Sequence, residues 1–465
     1  MKINIASNEV IHFIGIGGIG MSGLAQIMNN MGFVIQGSDL NRNKSTDRLN
    51  KLGIKVYIGH HQINLKKATM VVISSAIKKN NKEFKVAKNK KIPIFKRGDM
   101  LANIVALKKN IVVTGSHGKT TTTSLVANIL VEAGLDPTVI NGGVINSLKN
   151  TAQLGKGEWA VIEADESDGS FLKLPVTYSV VTNIDKEHLD FYKTFERLKK
   201  SFCTFLKKTP SFGKAIVCAD DNNLKSLLSK CKASNFLTYG FNKSSNYQII
   251  NVKKYINYSN FDLKIKFAGD KIYKIKNLKV NLIGDHNISN STAAIAIALN
   301  LGIEINKIKK ALKKFLGIQR RFTKIFSIKK REFYDDYAHH PTEIKAVINS
   351  ARQVYKNRKV ICVFQPHRYS RVKSLKNEFA SSFKSSDIVV LCPIYSAGEK
   401  IKYNFNQNNF SQLIAKKSKI QVINIKDQKE LKNYLQKNLF TDELVICMGA
   451  GTISNWIREI CKELK

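Results

Sequence analysis

The chain has 465 residues, 43% of them hydrophobic, and carries a formal net charge of +41 from 76 Lys+Arg against 35 Asp+Glu. At roughly 150 residues per domain this length suggests about three domains and excludes a mini-protein or a lone binding module. The charge invites a nucleic-acid reading, but 64 of the basic residues are Lys and only 12 are Arg, spread along the chain beside much Asn and Ile. That is the pattern of AT-rich codon drift, not of clustered Arg gripping phosphates, so no nucleic-acid partner is expected.

Residues 1–107 alternate short apolar strands (IHFIGIG, FVIQGSD, KVYIG, MVVISSAI) with helical stretches, which predicts an N-terminal Rossmann-like parallel sheet. A strand from Val10 to Gly15 runs into Gly15-Ile16-Gly17-Gly18-Ile19-Gly20, a G-x-G-x-x-G that opens a helix. Such glycines let a diphosphate approach the unpaired N–H groups of the helix N-terminus. Asp39, ending the next strand, stands near the spacing of a ribose-binding acid, so this segment alone also admits an NAD-dependent dehydrogenase.

Residues 108–317 are predicted as a central P-loop-type ATPase α/β domain. After a Lys-rich link, the strand Ile111 to Thr114 leads into Gly115-Ser116-His117-Gly118-Lys119-Thr120-Thr121 and a helix over Thr122 to Leu130. Backbone N–H groups of such a loop cradle phosphates, Lys119 places a charge on them, and the Thr120 hydroxyl reaches Mg²⁺. The loop is tighter than the general P-loop, with Val113 where an upstream Gly is usual. Glu163-Ala164-Asp165-Glu166-Ser167-Asp168 ends the strand Trp159 to Ile162, and His188 follows the next strand end, so carboxylates and an imidazole emerge on the rim that carries Lys119. A polar, β-rich stretch (YQIINVKKY, FDLKIKF, KIYKIKN) is expected as a side sheet, followed by an Ala-rich helix.

Residues 318–465 again alternate (EFYDDYA, KVICVFQP, DIVVLCPIY, IQVINI, LVICMGAG), which predicts a C-terminal Rossmann-like α/β domain. Asp335-Asp336 and His339-His340 precede Pro341; they admit a strand end and helix cap as well as a ligand site. His367, Arg368 and Arg371 cluster at a helix start, where cations oppose the macrodipole and an anionic ligand would account for them. The seven cysteines contain no CxxC and no zinc spacing and are expected as reduced, buried thiols of a cytoplasmic protein. No apolar stretch is long enough to predict a membrane span.

Taken together, TGSHGKTTT, NGG at 141–143, EADESD, DHNISNSTAAIAIA, GIQRRF, YDDYAHHPTEI and FQPHRYSR make the chain resemble the Mur ligases, from Ile14 to Ile453. The resemblance implies ATP-dependent ligation of L-alanine to UDP-N-acetylmuramate through an acyl phosphate, in cytoplasmic peptidoglycan precursor synthesis. YDDYAHHP and FQPHRYSR point, within the family, to the alanine-adding enzyme or to its relative that adds recycled peptide. By the same resemblance Gly15, Gly17, Gly18, Gly20, Ser22, Ser38, Asp39, Ser74, Ser75 and Arg97 face the UDP-sugar, so no nicotinamide is needed. ATP falls on Gly115 to Thr121, with His286 and Asn287 at the adenine and Asp335, Asp336 and His339 bordering the nucleotide. Mg²⁺ falls on Thr120 and Glu163, with a second ion near His188, while Arg320 or Arg321 meets the γ-phosphate. Tyr337, His367, Arg368 and Arg371 border the incoming alanine. The rival readings leave residues unexplained: a dehydrogenase has no use for GSHGKTT, and a nucleic-acid-binding ATPase none for the acidic rim Glu163 to Asp168.

Overall fold

The computed structural model describes residues 9–146, 150–231, 235–266, 271–328, 330–399, 405–437 and 442–463. Its strands form three sheets, one in each of the alternating segments. In the first, β1 (Val10–Ile14), β2 (Val34–Asp39), β3 (Lys55–Ile58), β4 (Met70–Ile73) and β5 (Ile94–Lys96) are parallel, in the order β3-β2-β1-β4-β5. Winding reverses between β1 and β4, and the loops that leave their carboxyl ends open the crevice in which such sheets bind ligands.

The second sheet has ten strands: β6 (Lys109–Thr114), β7 (Thr138–Ile145), β8 (Asn150–Gln153), β9 (Trp159–Glu163), β10 (Tyr178–Val181), β11 (Ala215–Cys218), β12 (Phe236–Gly240), β13 (Tyr247–Lys254), β14 (Ser259–Lys266) and β15 (Ile272–Val280). Their order is β15-β14-β13-β12-β11-β10-β6-β9-β7-β8. β6 lies between β10 and β9, and its Ile111, Val112 and Val113 are fully buried, as a strand covered on both faces requires. The expected side sheet is corrected here: β13 pairs with β12 at Tyr239–Tyr247, so the polar stretch extends the main sheet. Its alternation explains this, since β14 buries Phe261, Leu263 and Ile265 on one face and needs a neighbour to cover them. At the opposite edge β8 meets the first segment's helix Ile19–Asn30, where a Cβ on Gly23 would stand 3.1 Å from Ala152 Cβ.

The third sheet comprises β16 (Thr323–Ile328), β17 (Arg331–Asp336), β18 (Lys359–Phe364), β19 (Ile388–Leu391), β20 (Gln421–Asn424) and β21 (Glu443–Met448), in the order β16-β17-β21-β18-β19-β20. Only β16, at an edge, is antiparallel among these pairs. Phe364, Phe379, Phe383 and Phe410 fill one face, while Phe333, Val363, Ile453 and Ile457 fill the other. Each such side chain contributes about 1.5–3 kcal/mol by leaving water.

By compactness the chain divides into two units. The first holds the first two sheets, over Met1–Val252, Asn260–Val280 and Ser289–Leu316; the second holds Lys253–Ser259, Asn281–Ile288 and Gly317–Lys465 with the third sheet. No helix among the described residues is long and apolar enough to cross a membrane. The expectation of uniformly reduced thiols is corrected: Cys203 and Cys231 form a disulfide, because the helix Phe195–Lys207 and the end of the helix Asn222–Lys230 bring their Cα atoms to 5.8 Å. Cys218, Cys362, Cys392, Cys447 and Cys461 are free and buried.

Candidate active site

The glycine-rich loop after β1 is tied to the end of β2. Gly15 and Ile16 donate their N–H groups to Ser38 O at 2.8 and 3.0 Å, and Gly17 N donates to Asp39 Oδ2 at 2.8 Å. Gly15 has φ +84°, and a Cβ on Gly17 would fall within 3 Å of Asn43, Asp39 and Thr46 side-chain atoms, so this path requires glycine. Gly18 caps the helix Ile19–Asn30 without a side chain, leaving the turn open to a ligand, and the Arg97 guanidinium lies against Gly20. Ser75 is exposed and Ser74 half-buried, but Ser22 and Ser38 are corrected: both are fully buried with their hydroxyls turned inward. Ser22 Oγ donates to Ile19 O and accepts from Arg48, while Ser38 Oγ bonds Glu83.

The loop after β6 is held far more tightly. Gly115 has φ +131° and Gly118 +83°, and a Cβ on Gly115 would fall 2.2 Å from Thr182 Oγ1. Asn183, just past β10, accepts from His117 N at 2.8 Å through Oδ1, donates to His117 O at 2.9 Å through Nδ2, and accepts from Ser116 N with its carbonyl. Thr182 Oγ1 donates to His117 O, and Asp185 contacts Ser116 Oγ through its N–H and His117 Nε2 through its carboxylate. The helix begins at Lys119, earlier than Thr122, and runs to Glu132. Its Thr120–Thr123 run is a poor helix former kept helical by burial.

Lys119 Nζ lies 2.5 Å from Gly115 O and 2.9 Å from Glu166 Oε2. Burial works to lower its pKa, but the Glu166 and Asp165 carboxylates outweigh that and raise it, so it stays charged. Thr120 Oγ1 donates to Glu163 Oε1 at 3.0 Å, and Gly142 of the NGG run donates to the other oxygen of Glu163. Adjacent hydroxyl and carboxylate oxygens fit Mg²⁺, and Asp165, Glu166 and His188 form a second group with ligand atoms within 4.8 Å of one another. His188 has φ +55°, a conformation uncommon outside glycine, 3.7 Å from Glu166. Asn290, absent from the sequence reading, places its side chain over Gly118; its presence in DHNISN was the available signal.

In the second unit, Arg320, Arg321, Tyr337, His339, His367, Arg368 and Arg371 gather at the carboxyl ends of β17 and β18. Tyr337, His339, His367 and Tyr395 form a run of rings with successive centroids 5.2, 5.6 and 5.6 Å apart. Both arginines stack on Tyr337, Arg320 at 4.7 Å and Arg321 at 5.5 Å. Arg320 also donates to Gly449 O and lies 3.7 Å from Asp335, whereas Arg321, besides its ring contact, pairs with Glu343 at 3.9 Å, the looser set of partners among the described residues. Arg371 contacts His367 Nδ1 at 3.2 Å, and burial beside His339 and Arg371 pushes the His367 imidazole down to about 3. Tyr395 was missed because it lies outside the HRYSR run.

Asp335 and Asp336, which the resemblance sets beside the nucleotide, make hydrogen bonds within the chain. Asp335 is fully buried, accepting from Ser454 Oγ at 2.6 Å and Arg458 at 2.9 Å. Asp336 accepts the Phe322 and Ala338 N–H groups, each at 2.7 Å, and burial raises its pKa to about 6. His340 is the cap of the helix Pro341–Val354, accepting from Thr342 N. His286 is exposed, and Asn287 donates to Ile283 O, both in the first turn of the helix Asp285–Asn300.

Two glycine-led anion loops on parallel sheets, followed by a third α/β sheet carrying cations, define a nucleotide-using ligase architecture, and models of known families agree. The chain belongs to the Mur ligase family: the family's catalytic-domain model matches residues 10–109, its middle-domain model 113–298 and its glutamate-ligase-domain model 320–451. It is 58% identical over 460 residues to a UDP-N-acetylmuramate–L-alanine ligase of Pelagibacter ubique, covering 99% of both chains. A ligase of the same name from Azorhizobium caulinodans is 42% identical, covering 98% of this chain and 97% of the other. The crystal structure of UDP-N-acetylmuramate-alanine ligase from Thermotoga maritima superposes with a TM-score of 0.82 at 27% identity, covering 98% of each chain.

Proposed function

We propose that this chain joins L-alanine to UDP-N-acetylmuramate with conversion of ATP to ADP and phosphate, a step of peptidoglycan precursor synthesis, in the cytoplasm. The observation that carries the reading is the 58% identity across 99% of both chains to a ligase of that name. Residues 1–107 hold the UDP-sugar on Gly15, Gly17, Gly18, Gly20, Asp39, Ser74, Ser75 and Arg97. Residues 108–317 hold ATP on Gly115 to Thr121, and residues 318–465 hold alanine beside Tyr337, His367, Arg368 and Arg371.

In this reading the lactyl carboxylate attacks the γ-phosphorus of ATP; a C–O–P bond forms, the bridging P–O bond breaks and ADP leaves. Lys119 and Arg321 offset the charge that spreads over the transferring oxygens. The alanine amine then attacks the acyl carbon, the C–OP bond breaks, and phosphate leaves as the amine sheds a proton. Thr120 and Glu163 would hold Mg²⁺, with Asp165, Glu166 and His188 as further ligands; the ion supplies charge neutralisation on the phosphates. His286 and Asn287 flank the adenine, and His339 borders the nucleotide.

The test is phosphate release from ATP with UDP-N-acetylmuramate and single amino acids or the L-alanyl-γ-D-glutamyl-meso-diaminopimelate peptide. Release dependent on both the sugar nucleotide and L-alanine is expected. Release with the peptide and none with alanine reassigns the chain to peptide recycling.

A further inference from the structure

Beneath the carboxyl edge of the first sheet lies a polar network where an apolar core is usual. Glu83, in the first turn of the helix Lys82–Asn89, is fully buried together with His12, and Ser38 beside it is buried too. Its Oε2 accepts from Ser38 Oγ and lies 3.4 Å from His12 Nε2 and 3.3 Å from His60 Nδ1; its Oε1 accepts from Asn64 Nδ2 at 2.6 Å. His12 Nδ1 is in turn 3.3 Å from Gln36 Nε2, which also donates to Asn64 O. Removing a carboxylate from water is unfavourable; here hydrogen bonds from His12, Ser38 and Asn64 outweigh burial and hold its pKa below the usual carboxylate range. The position at a helix N-terminus acts in the same direction.

This network touches the sugar crevice at two points. Ser38, whose hydroxyl it holds, accepts the Gly15 and Ile16 N–H groups with its carbonyl and so sets the path of the glycine-rich loop. His60 follows β3, and its neighbour Gly59 donates to the main-chain Asp39 O at 2.7 Å, so the backbone that carries His60 is tied to the residue whose carboxylate holds Gly17. His60 Nδ1 is committed inward to Ser38 Oγ at 2.9 Å and to Glu83, while Nε2 has no protein partner among the described residues.

We infer that Glu83 is a positioning residue for the UDP-sugar: by holding Ser38 and the inward nitrogen of His60, it fixes the glycine-rich loop and presents His60 Nε2 to the crevice. The inference rests on the assignment of that crevice to UDP-N-acetylmuramate. A purely structural network would serve stability alone; this one anchors two of the crevice's own segments to a single carboxylate.

The experiment measures UDP-N-acetylmuramate binding by calorimetry and the three KM values for wild type, Glu83→Gln, His60→Gln and the double variant, with melting temperatures alongside. Wild-type binding of the sugar nucleotide is the control for the crevice assignment; its absence overturns that assignment and the inference with it. Given wild-type binding, Glu83→Gln is expected to raise Kd and KM for UDP-N-acetylmuramate at least tenfold, with KM for ATP and L-alanine within twofold. His60→Gln, whose amide can keep an inward hydrogen bond to Ser38 or Glu83, is expected to reproduce the split with a smaller loss of melting temperature than Glu83→Gln, and the double variant to add little to either. Unchanged sugar affinity in both single variants, equal rises in all three KM values, or fully multiplicative effects in the double variant would overturn the inference. Should Glu83→Gln fail to fold, the His60→Gln split decides alone.

Discussion

The two glycine-rich loops of the first unit occupy equivalent places, each after a central parallel strand and before a buried helix, yet they are secured differently. The loop at Gly15–Gly20 is shaped by glycine and tied by backbone bonds to Ser38 and one carboxylate, Asp39. The loop at Gly115–Gly118 is clamped from the adjoining strand end by Thr182, Asn183 and Asp185, and carries a buried lysine. Holding a diphosphate in its ground state needs N–H groups in the right place; stabilising charge that moves during phosphoryl transfer needs donors that do not reorganise. On the proposed assignment, the heavier clamp belongs to the loop where bonds change.

That contrast is broken most directly at Lys119. Lys119→Ala is expected to lower turnover by at least ~10²-fold while leaving UDP-N-acetylmuramate binding intact, measured by phosphate release and calorimetry. Loss of sugar binding as well would mean that the two loops do not divide the work. A second outcome fixes the ligand of the lighter loop: UDP-N-acetylmuramate at 100 times its Kd should stabilise the protein by about 2.7 kcal/mol in thermal unfolding, and NAD or NADP should not. The clamp itself comes next. Asn183→Ala strips two bonds from His117 and should cost about 1–3 kcal/mol of stability and raise KM for ATP. Asp39→Ala frees Gly17 N and removes the longer 3.4 Å contact from Asn41 N, and should cost about 1 kcal/mol, raising KM for the sugar nucleotide alone.

The smallest effect tests the second unit, where side chains replace backbone N–H groups. The His367 imidazole is pushed from 6.5 down to about 3 in the folded chain. Between those values the unfolded chain binds the proton and the folded chain does not, so His367 lowers stability as pH falls through that window. His367→Asn should therefore lose less melting temperature than wild type between pH 7 and pH 4; an identical slope would show that this imidazole protonates freely in the fold.

What could be read from the sequence follows from how locally each feature is encoded. The phosphate loop is contiguous, its chemistry lying in backbone and one lysine after a run of buried β-branched residues, so GSHGKTT after IVVT was readable. The clamp was not, because Asn183 reaches His117 across 66 positions, and neither was the Cys203–Cys231 pair, brought together by two helices across 28. YDDYA shows a structural share that a string hides: Asp335 and Asp336 end a buried strand and bond Ser454, Arg458, Phe322 and Ala338, partners up to 123 positions away. Strand alternation in the KKY to KIKN stretch showed the strands, yet only pairing with β12 decides which sheet they join.

The ten-stranded sheet ends in two very different margins. β8 is shielded by the helix Ile19–Asn30, but β15 ends the strand order of the sheet and exposes Ile272 and Tyr273. An apolar rim of that kind would recruit the same rim of a second molecule into a growing ribbon. Lys274 and Lys276 are exposed along it, so two copies brought rim to rim would set like charges against each other. At this margin the lysine excess opposes such pairing.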